Sequence, residues 1–210
     1  MALERIEKYQ DFIGFLEIAG KSKELLRSGW VREKVDHPES VADHSFRVGL
    51  MAMIFSEEVS DLHLDQLKLM KMALLHDLGE VITGDLVTER FDLIDVKARD
   101  KKENLEREGL RQIFGKIGRG EEYVTIFEEM VARDTEEAIF FWQLDKLEMV
   151  VQAFEYEKSQ GKDLEEFFLG VQLYHLKHPL LKKIFEGLME RRRRIKARKK
   201  QEEEEKNEGK

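Results

Sequence analysis

Leu69-Met70-Lys71-Met72-Ala73-Leu74-Leu75-His76-Asp77-Leu78-Gly79-Glu80 is the stretch on which the reading of this chain turns. Leu69, Met72, Ala73, His76 and Glu80 recur at the three- and four-residue spacing of one helix face. That face begins aliphatic and ends in an imidazole and a carboxylate, where a core-facing stripe should stay apolar. Asp77 follows His76 about 100° further round the helix. The spacing predicts a helix over 65–79 whose inward end is polar.

The same anomaly recurs on both sides of this stretch. In a predicted helix over 40–60, His44 shares a face with Val48, Met51 and Phe55. Over 134–159, Asp145 lies on a stripe with Ala138, Phe141, Met149 and Tyr156. Further helices are predicted at 3–19, carried by Leu3, Ile6, Ile13 and Leu16, and at 94–116, 120–132, 163–176 and 179–200. Residues 21–38 read as a short helix plus a loop, punctuated by Gly29 and Pro38. Val31–Val35 is the nearest approach to a strand and is too short to count. The expected fold class is all-α, a helical bundle with a site between its core helices.

Composition narrows the class. At 210 residues the chain fits one domain over 1–190, with 191–210 as a charged helix end and tail. Residues 191–200 hold eight Lys or Arg and 201–210 hold five Glu. Cations near a helix C-terminus explain the first block without a nucleic-acid partner, and the acids beside it cancel much of its field. The net charge of -8 argues against a whole-surface nucleic-acid binder. The charged fraction of 38% suits an ion-pair-rich surface or a long-helix protein. Zero cysteines exclude disulfides, thiol catalysis and thiolate metal sites. No apolar run reaches the ~18 residues of a membrane span, and Met1–Arg5 shows no secretory pattern, so a cytoplasmic protein is expected.

Two imidazoles and two carboxylates pointing inward from three helices are costly to bury unless they hold a cation. One such residue alone would read as a satisfied core group. Four together point to a divalent metal site between facing helices. The donor set suits Mn, Fe, Co, Ni, Cu or Mg better than a closed structural zinc site, and it leaves the ion's identity, a catalytic Zn included, undetermined.

Around these four stand Gly29-Trp30, the run from Pro38 to His44, His76-Asp77-Leu78-Gly79-Glu80, the run from Thr83 to Thr88, and Leu144-Asp145-Lys146-Leu147-Glu148-Met149. With this ordered set the sequence resembles the HD-domain metal-dependent phosphohydrolases, and within them the 5′-deoxynucleotidase branch, over roughly residues 10 to 185. The resemblance implies an all-helical fold, a homodimer, and release of phosphate from deoxyribonucleoside 5′-monophosphates. It implies His44, His76, Asp77 and Asp145 as metal ligands, with Glu80 handling the attacking water. It places Asp85, Leu86, Val87 and Thr88 in the substrate loop and Trp30 against the sugar, and brings substrate against His44, Asp77 and Asp145. An arginine that some members carry directly before this tryptophan is replaced here by Gly29, leaving Arg27, Arg32 or Lys146 to meet the phosphate.

Taken on chemistry alone, Glu80 one turn after His76 can reach solvent at that metal, though an exposed last-turn acid would look the same. Asp85 after Gly84 suits a tight turn; it could bind a sugar hydroxyl, protonate the leaving oxygen, or share a second cation with Glu80. Trp30 has a plain alternative as a core residue. His37, His63, His175 and His178 read as loop, surface or helix-start residues. Rival readings are a cyclic-nucleotide phosphodiesterase, a dNTP triphosphohydrolase, or a non-catalytic nucleotide-binding regulator.

Overall fold

A computed structural model of the chain describes residues 2–85, 89–90, 93–94, 96–174 and 176–208. Among the described residues ten helices run in order: α1 (Ala2–Gly20), α2 (Ser28–Arg32), α3 (Val41–Glu58), α4 (Gln66–Leu75), α5 (Glu80–Thr83), α6 (Val96–Gly115), α7 (Gly120–Ala132), α8 (Glu136–Gln160), α9 (Glu165–Tyr174) and α10 (Pro179–Glu208). A 3-10 turn, Lys21–Lys23, follows α1. The expected all-α class holds. The one departure among the described residues is an antiparallel pair of two-residue strands, β1 (Glu89–Arg90) and β2 (Leu93–Ile94), at the approach to α6. The 31–35 stretch is not extended, since Val31 and Arg32 close α2.

The helix starts follow local chemistry. Ser40 caps α3 in a reciprocal box with Asp43, Asp65 accepts the Lys68 N–H at 3.0 Å to open α4, and Thr135 caps α8 through Ala138. α8 is the axis of the molecule. It is buried on most of its circumference, with Ala138, Phe140, Phe141, Leu144, Leu147, Val150 and Ala153 fully covered, and α3, α4, α7, α9 and α10 pack around it. Each large aliphatic or aromatic side chain covered this way contributes about 1.5–3 kcal/mol. No described helix is long and apolar enough to cross a membrane.

Two helix boundaries and one helix face depart from the expected ones. α4 stops at Leu75, so His76 and Asp77 occupy a turn between α4 and α5 rather than a regular helix. α6 causes this crowding. A Cβ on Gly79 would sit 2.5 Å from the Glu106 carbonyl oxygen, and one on Gly109 would sit 2.6 Å from the Gly79 carbonyl oxygen, so two glycines let the backbones touch. On α1, Ile13 and Leu16 face outward, and Phe15 and Ile18 do the packing. The last helix continues to Glu208, carrying the whole basic block and the acids after it.

Candidate metal centre

α3, the α4–α5 turn and α8 bring His44, His76 and Asp145 into one group, with Asp77 beside the two imidazoles. His44 Nε2 lies 3.1 Å from His76 Nε2, 3.0 Å from Asp145 Oδ1 and 3.9 Å from Asp77 Oδ2. His76 Nε2 lies 3.2 Å from Asp77 Oδ2 and 3.8 Å from Asp145 Oδ1. Donors held about 2.1 Å from a common cation stand roughly 3.0–3.4 Å apart, so the set fits a divalent metal. With Glu148 on His44 Nδ1 and the Ala73 carbonyl on His76 Nδ1, both Nε2 atoms present lone pairs to each other, which calls for a proton or a metal ion between them.

The electrostatics carry the same demand. Burial opposes protonation of the His44 ring and Arg27 adds to that, but Glu148 and Asp145 prevail and push its pKa up to about 10. Burial works against ionised Asp145 and Asp77 as well. Lys146 with the two histidines, and His76 with Arg27, nevertheless hold these carboxyls well below the usual range. The pocket is anionic and asks for a cation.

Residues not singled out from the sequence set the donors' orientation. His44 Nδ1 meets Glu148 Oε2 at 2.5 Å, and Arg47 Nε donates to Glu148 Oε1 at 2.7 Å. A carboxylate on one ring nitrogen directs the other toward a metal. His76 Nδ1 does the same on the Ala73 carbonyl at 2.9 Å. The signal was present in the spacing: Glu148 is one turn beyond Asp145, and Arg47 is three residues beyond His44.

A second acidic group adjoins the first. Asp77, Glu80 and Glu106 offer carboxylate oxygens within 4.8 Å of one another, and Lys102 Nζ reaches Glu80 Oε1 at 2.9 Å and Glu106 Oε1 at 3.4 Å. Burial, then Asp77, push Glu80 up to about 9 despite Lys102, so its carboxyl holds a proton far more tightly than a free glutamate. Lys102 and Glu106 lie one turn apart on α6, and only the touch of that helix on Gly79 brings them here.

Among the basic candidates, Arg27 stands at the site. Its Nη1 donates to Asp77 Oδ2 and its Nε lies 3.8 Å from Glu39 Oε1. Burial opposes its charge, and Asp77 and Asp145 outweigh this, keeping it firmly cationic. Lys146 Nζ sits 3.3 Å from Asp145 Oδ2. Arg32 turns away, to Glu33 at 2.7 Å and to Glu166, and does not reach the centre. Trp30 also departs from the expected role. It is 2% exposed, its ring covered by Phe167 (centroids 4.5 Å apart) and Tyr156, and its Nε1 donates to Glu39 Oε1 at 2.8 Å. Its apolar bulk is used in the core. Asp85 Oδ2 accepts the Ser28 N–H at 2.6 Å, while Ser28 Oγ donates to the Asp85 carbonyl, tying that turn to α2. Leu86, Val87, Thr88 and His175 lie outside the described residues. His178 is a helix-start residue as expected, its Nδ1 accepting the Leu180 N–H at 3.3 Å.

Comparison with known proteins agrees with this geometry. The HD domain family matches residues 19–188, and the chain belongs to that family. It is 33% identical over 189 residues to the 5′-deoxynucleotidase HDDC2 of Danio rerio, covering 88% of this chain and 89% of that one. The protein of the same name from Dictyostelium discoideum is 34% identical over 186 residues, covering 83% and 94%. A solved structure of a conserved hypothetical protein from Pyrococcus furiosus superposes with a TM-score of 0.70 at 34% identity, over 85% of this chain and 99% of that one.

Proposed function

We propose that this protein is a divalent-metal-dependent phosphohydrolase that releases phosphate from deoxyribonucleoside 5′-monophosphates. The observation that carries the reading is the convergence of His44, His76 and Asp145, with Asp77 3.2 and 3.9 Å from the two imidazoles, beside the cationic Arg27. The substrate class is supported by the likeness to relatives bearing the name 5′-deoxynucleotidase. Those four residues would hold the cation, whose chemistry is to offer charge to a phosphate oxygen and to acidify water.

The chain's own groups divide the remaining work. Arg27 presents further guanidinium N–H donors beyond the one on Asp77, in the planar fork that matches phosphate oxygens, and Lys146 adds a point charge across the site. Glu80 orients the attacking water, with Lys102 2.9 Å from one of its carboxyl oxygens. Asp85, fixed by Ser28, supplies a sugar contact or a proton to the leaving oxygen. Selectivity for the deoxy sugar is assigned to the loop from Asp85 to Thr88, since Trp30 is enclosed. The unit is read as one catalytic domain over 1–190 with a charged extension, acting as a homodimer in the cytoplasm.

Phosphate release from metal-loaded protein across mono-, di-, tri- and cyclic nucleotides tests the reading. Deoxyribonucleoside monophosphates, dAMP ahead of AMP, are the expected substrates. Faster turnover of a cyclic nucleotide or a triphosphate would overturn it.

A further inference from the structure

We infer that Lys102 is a positioning residue for Glu80: from α6 it holds one oxygen of that carboxyl in place and leaves the other to the attacking water. The inference rests on the phosphohydrolase reading above, in which Glu80 orients that water.

Glu80 cannot keep its place unaided. It is 1% exposed, and both of its carboxyl oxygens are enclosed. Asp77 and Asp85 repel its negative charge, and Glu106 brings a further carboxylate oxygen within 4.8 Å. Among the described residues Lys102 is the one cation in ion-pair contact with it, Nζ lying 2.9 Å from Oε1. Oε2 has no hydrogen-bond partner among those residues. A buried carboxyl surrounded by carboxyls turns away unless a fixed counter-charge holds it. One oxygen held and one unbonded is the layout that orienting a water requires.

Lys102 is itself fixed, which a lysine on its flexible stem seldom is. The contact of Gly79 with Gly109, where Cβ atoms would stand 2.5 and 2.6 Å from backbone oxygens, presses α6 against the start of α5. Glu106, one turn beyond Lys102 and 7% exposed, takes the same Nζ at 3.4 Å. Burial opposes the ammonium charge, but Glu80, Asp77 and Glu106 outweigh it and keep Lys102 cationic. The preceding ion pair of α6 is different in kind. Arg99 and Glu103 stand 3.5 Å apart with side chains 40% and 25% exposed, a solvated pair of small effect.

A pair that merely fastens α6 to α5 would act on stability, whereas a pair that places Glu80 acts on turnover through Glu80. Lys102→Met keeps the stem and removes the ammonium. In metal-loaded protein acting on dAMP, its kcat should fall about 10–100-fold with KM and metal content, by elemental analysis, unchanged. Lys102→Arg should recover most of that loss. Added to Glu80→Gln, Lys102→Met should lower kcat by less than about twofold further, because the residue it serves is already disabled. In a crystal structure of Lys102→Met the Glu80 carboxyl should be displaced by about 1 Å or more. If Lys102→Met is unfolded by circular dichroism, Lys102→Gln carries the same measurements. Full turnover, loss of metal, losses that multiply in the double variant, or an unmoved Glu80 carboxyl would each overturn the inference. A wild-type protein that releases phosphate from no nucleotide would instead overturn the phosphohydrolase reading, and the position of Glu80 in the variant crystal would still decide whether Lys102 places it.

Discussion

Helix α8 carries two buried charged clusters a few turns apart, and they are built on opposite plans. At one end Glu157 accepts both Arg192 Nε at 2.6 Å and Nη2 at 2.7 Å, plus the Leu164 N–H at 3.2 Å. Arg192 stacks over the Phe168 ring at 3.9 Å and spends its remaining reach on Glu165. Every charge there has an opposite charge in hydrogen-bonding geometry. Nearer its middle Asp145 and Glu148 both meet the His44 ring, and His44 Nε2 faces His76 Nε2 at 3.1 Å with Asp77 Oδ2 beyond at 3.9 Å. The first cluster closes on itself and is structural. The second also has cations beside its carboxylates, Lys146 on Asp145, Arg47 on Glu148 and Arg27 on Asp77, yet it sets two imidazole Nε2 atoms 3.1 Å apart, an arrangement suited to a bound cation. Burial and charge alone do not mark a functional site, whereas imidazoles and carboxylates converging on one another do.

Removing a donor should break the contrast most completely. Asp77→Ala is expected to lose the metal, read by elemental analysis after dialysis, and to lower phosphate release by on the order of 10³-fold or more. Metal content and turnover equal to wild type would mean that the cluster is another ion-pair network.

Glu80 separates chemistry from assembly. Glu80→Gln should keep the metal and the nucleotide KM while turnover falls on the order of 10²-fold. Unchanged turnover in the folded variant would remove Glu80 from the reaction.

Glu148→Gln probes the support beneath the ligands. A neutral amide holds the His44 ring less firmly, so metal affinity by competition with a chelator should fall about 10–100-fold, with the fold intact. Equal affinity would show that Asp145 alone orients His44.

The closed cluster should respond in stability, not catalysis. Arg192→Met leaves Glu157 with only the Leu164 N–H and Lys196 at 3.6 Å, and should cost about 2–3 kcal/mol in urea unfolding at pH 7. Arg192 outweighs burial to hold the Glu157 carboxyl below its ordinary value, so this stabilisation exists above the unfolded pKa of about 4.3 and disappears as pH falls through the folded one. The gap between wild type and variant should therefore narrow below about pH 4. A gap that persists there would assign the effect to packing on Phe168.

Much of this was legible residue by residue. Period-3.6 patterning located the long helices, because a helix that buries one face must repeat its apolar residues at that interval. The same pattern exposed His44, His76 and Asp145 as intruders, since polar groups on a core stripe are costly unless they do something together. Trp30 and Arg32 were misplaced for a common reason: local sequence says that an aromatic or a cation is present but not which way its side chain leaves a short helix. The packing of Phe167 and Glu166 from α9 settled both directions.

What lay beyond the linear pattern came from contacts between distant segments. Lys102 and Glu106 reach Glu80 because Gly79 and Gly109 let two backbones meet, a fact written at two positions thirty residues apart. Arg192 looked like one cation in a solvated run, and α8 turned it into a buried partner of Glu157. The chain's periodicity chooses which residues face inward, because that depends on each helix alone. Which inward groups meet depends on how helices cross, and crossing is decided by the volumes of side chains far apart in sequence.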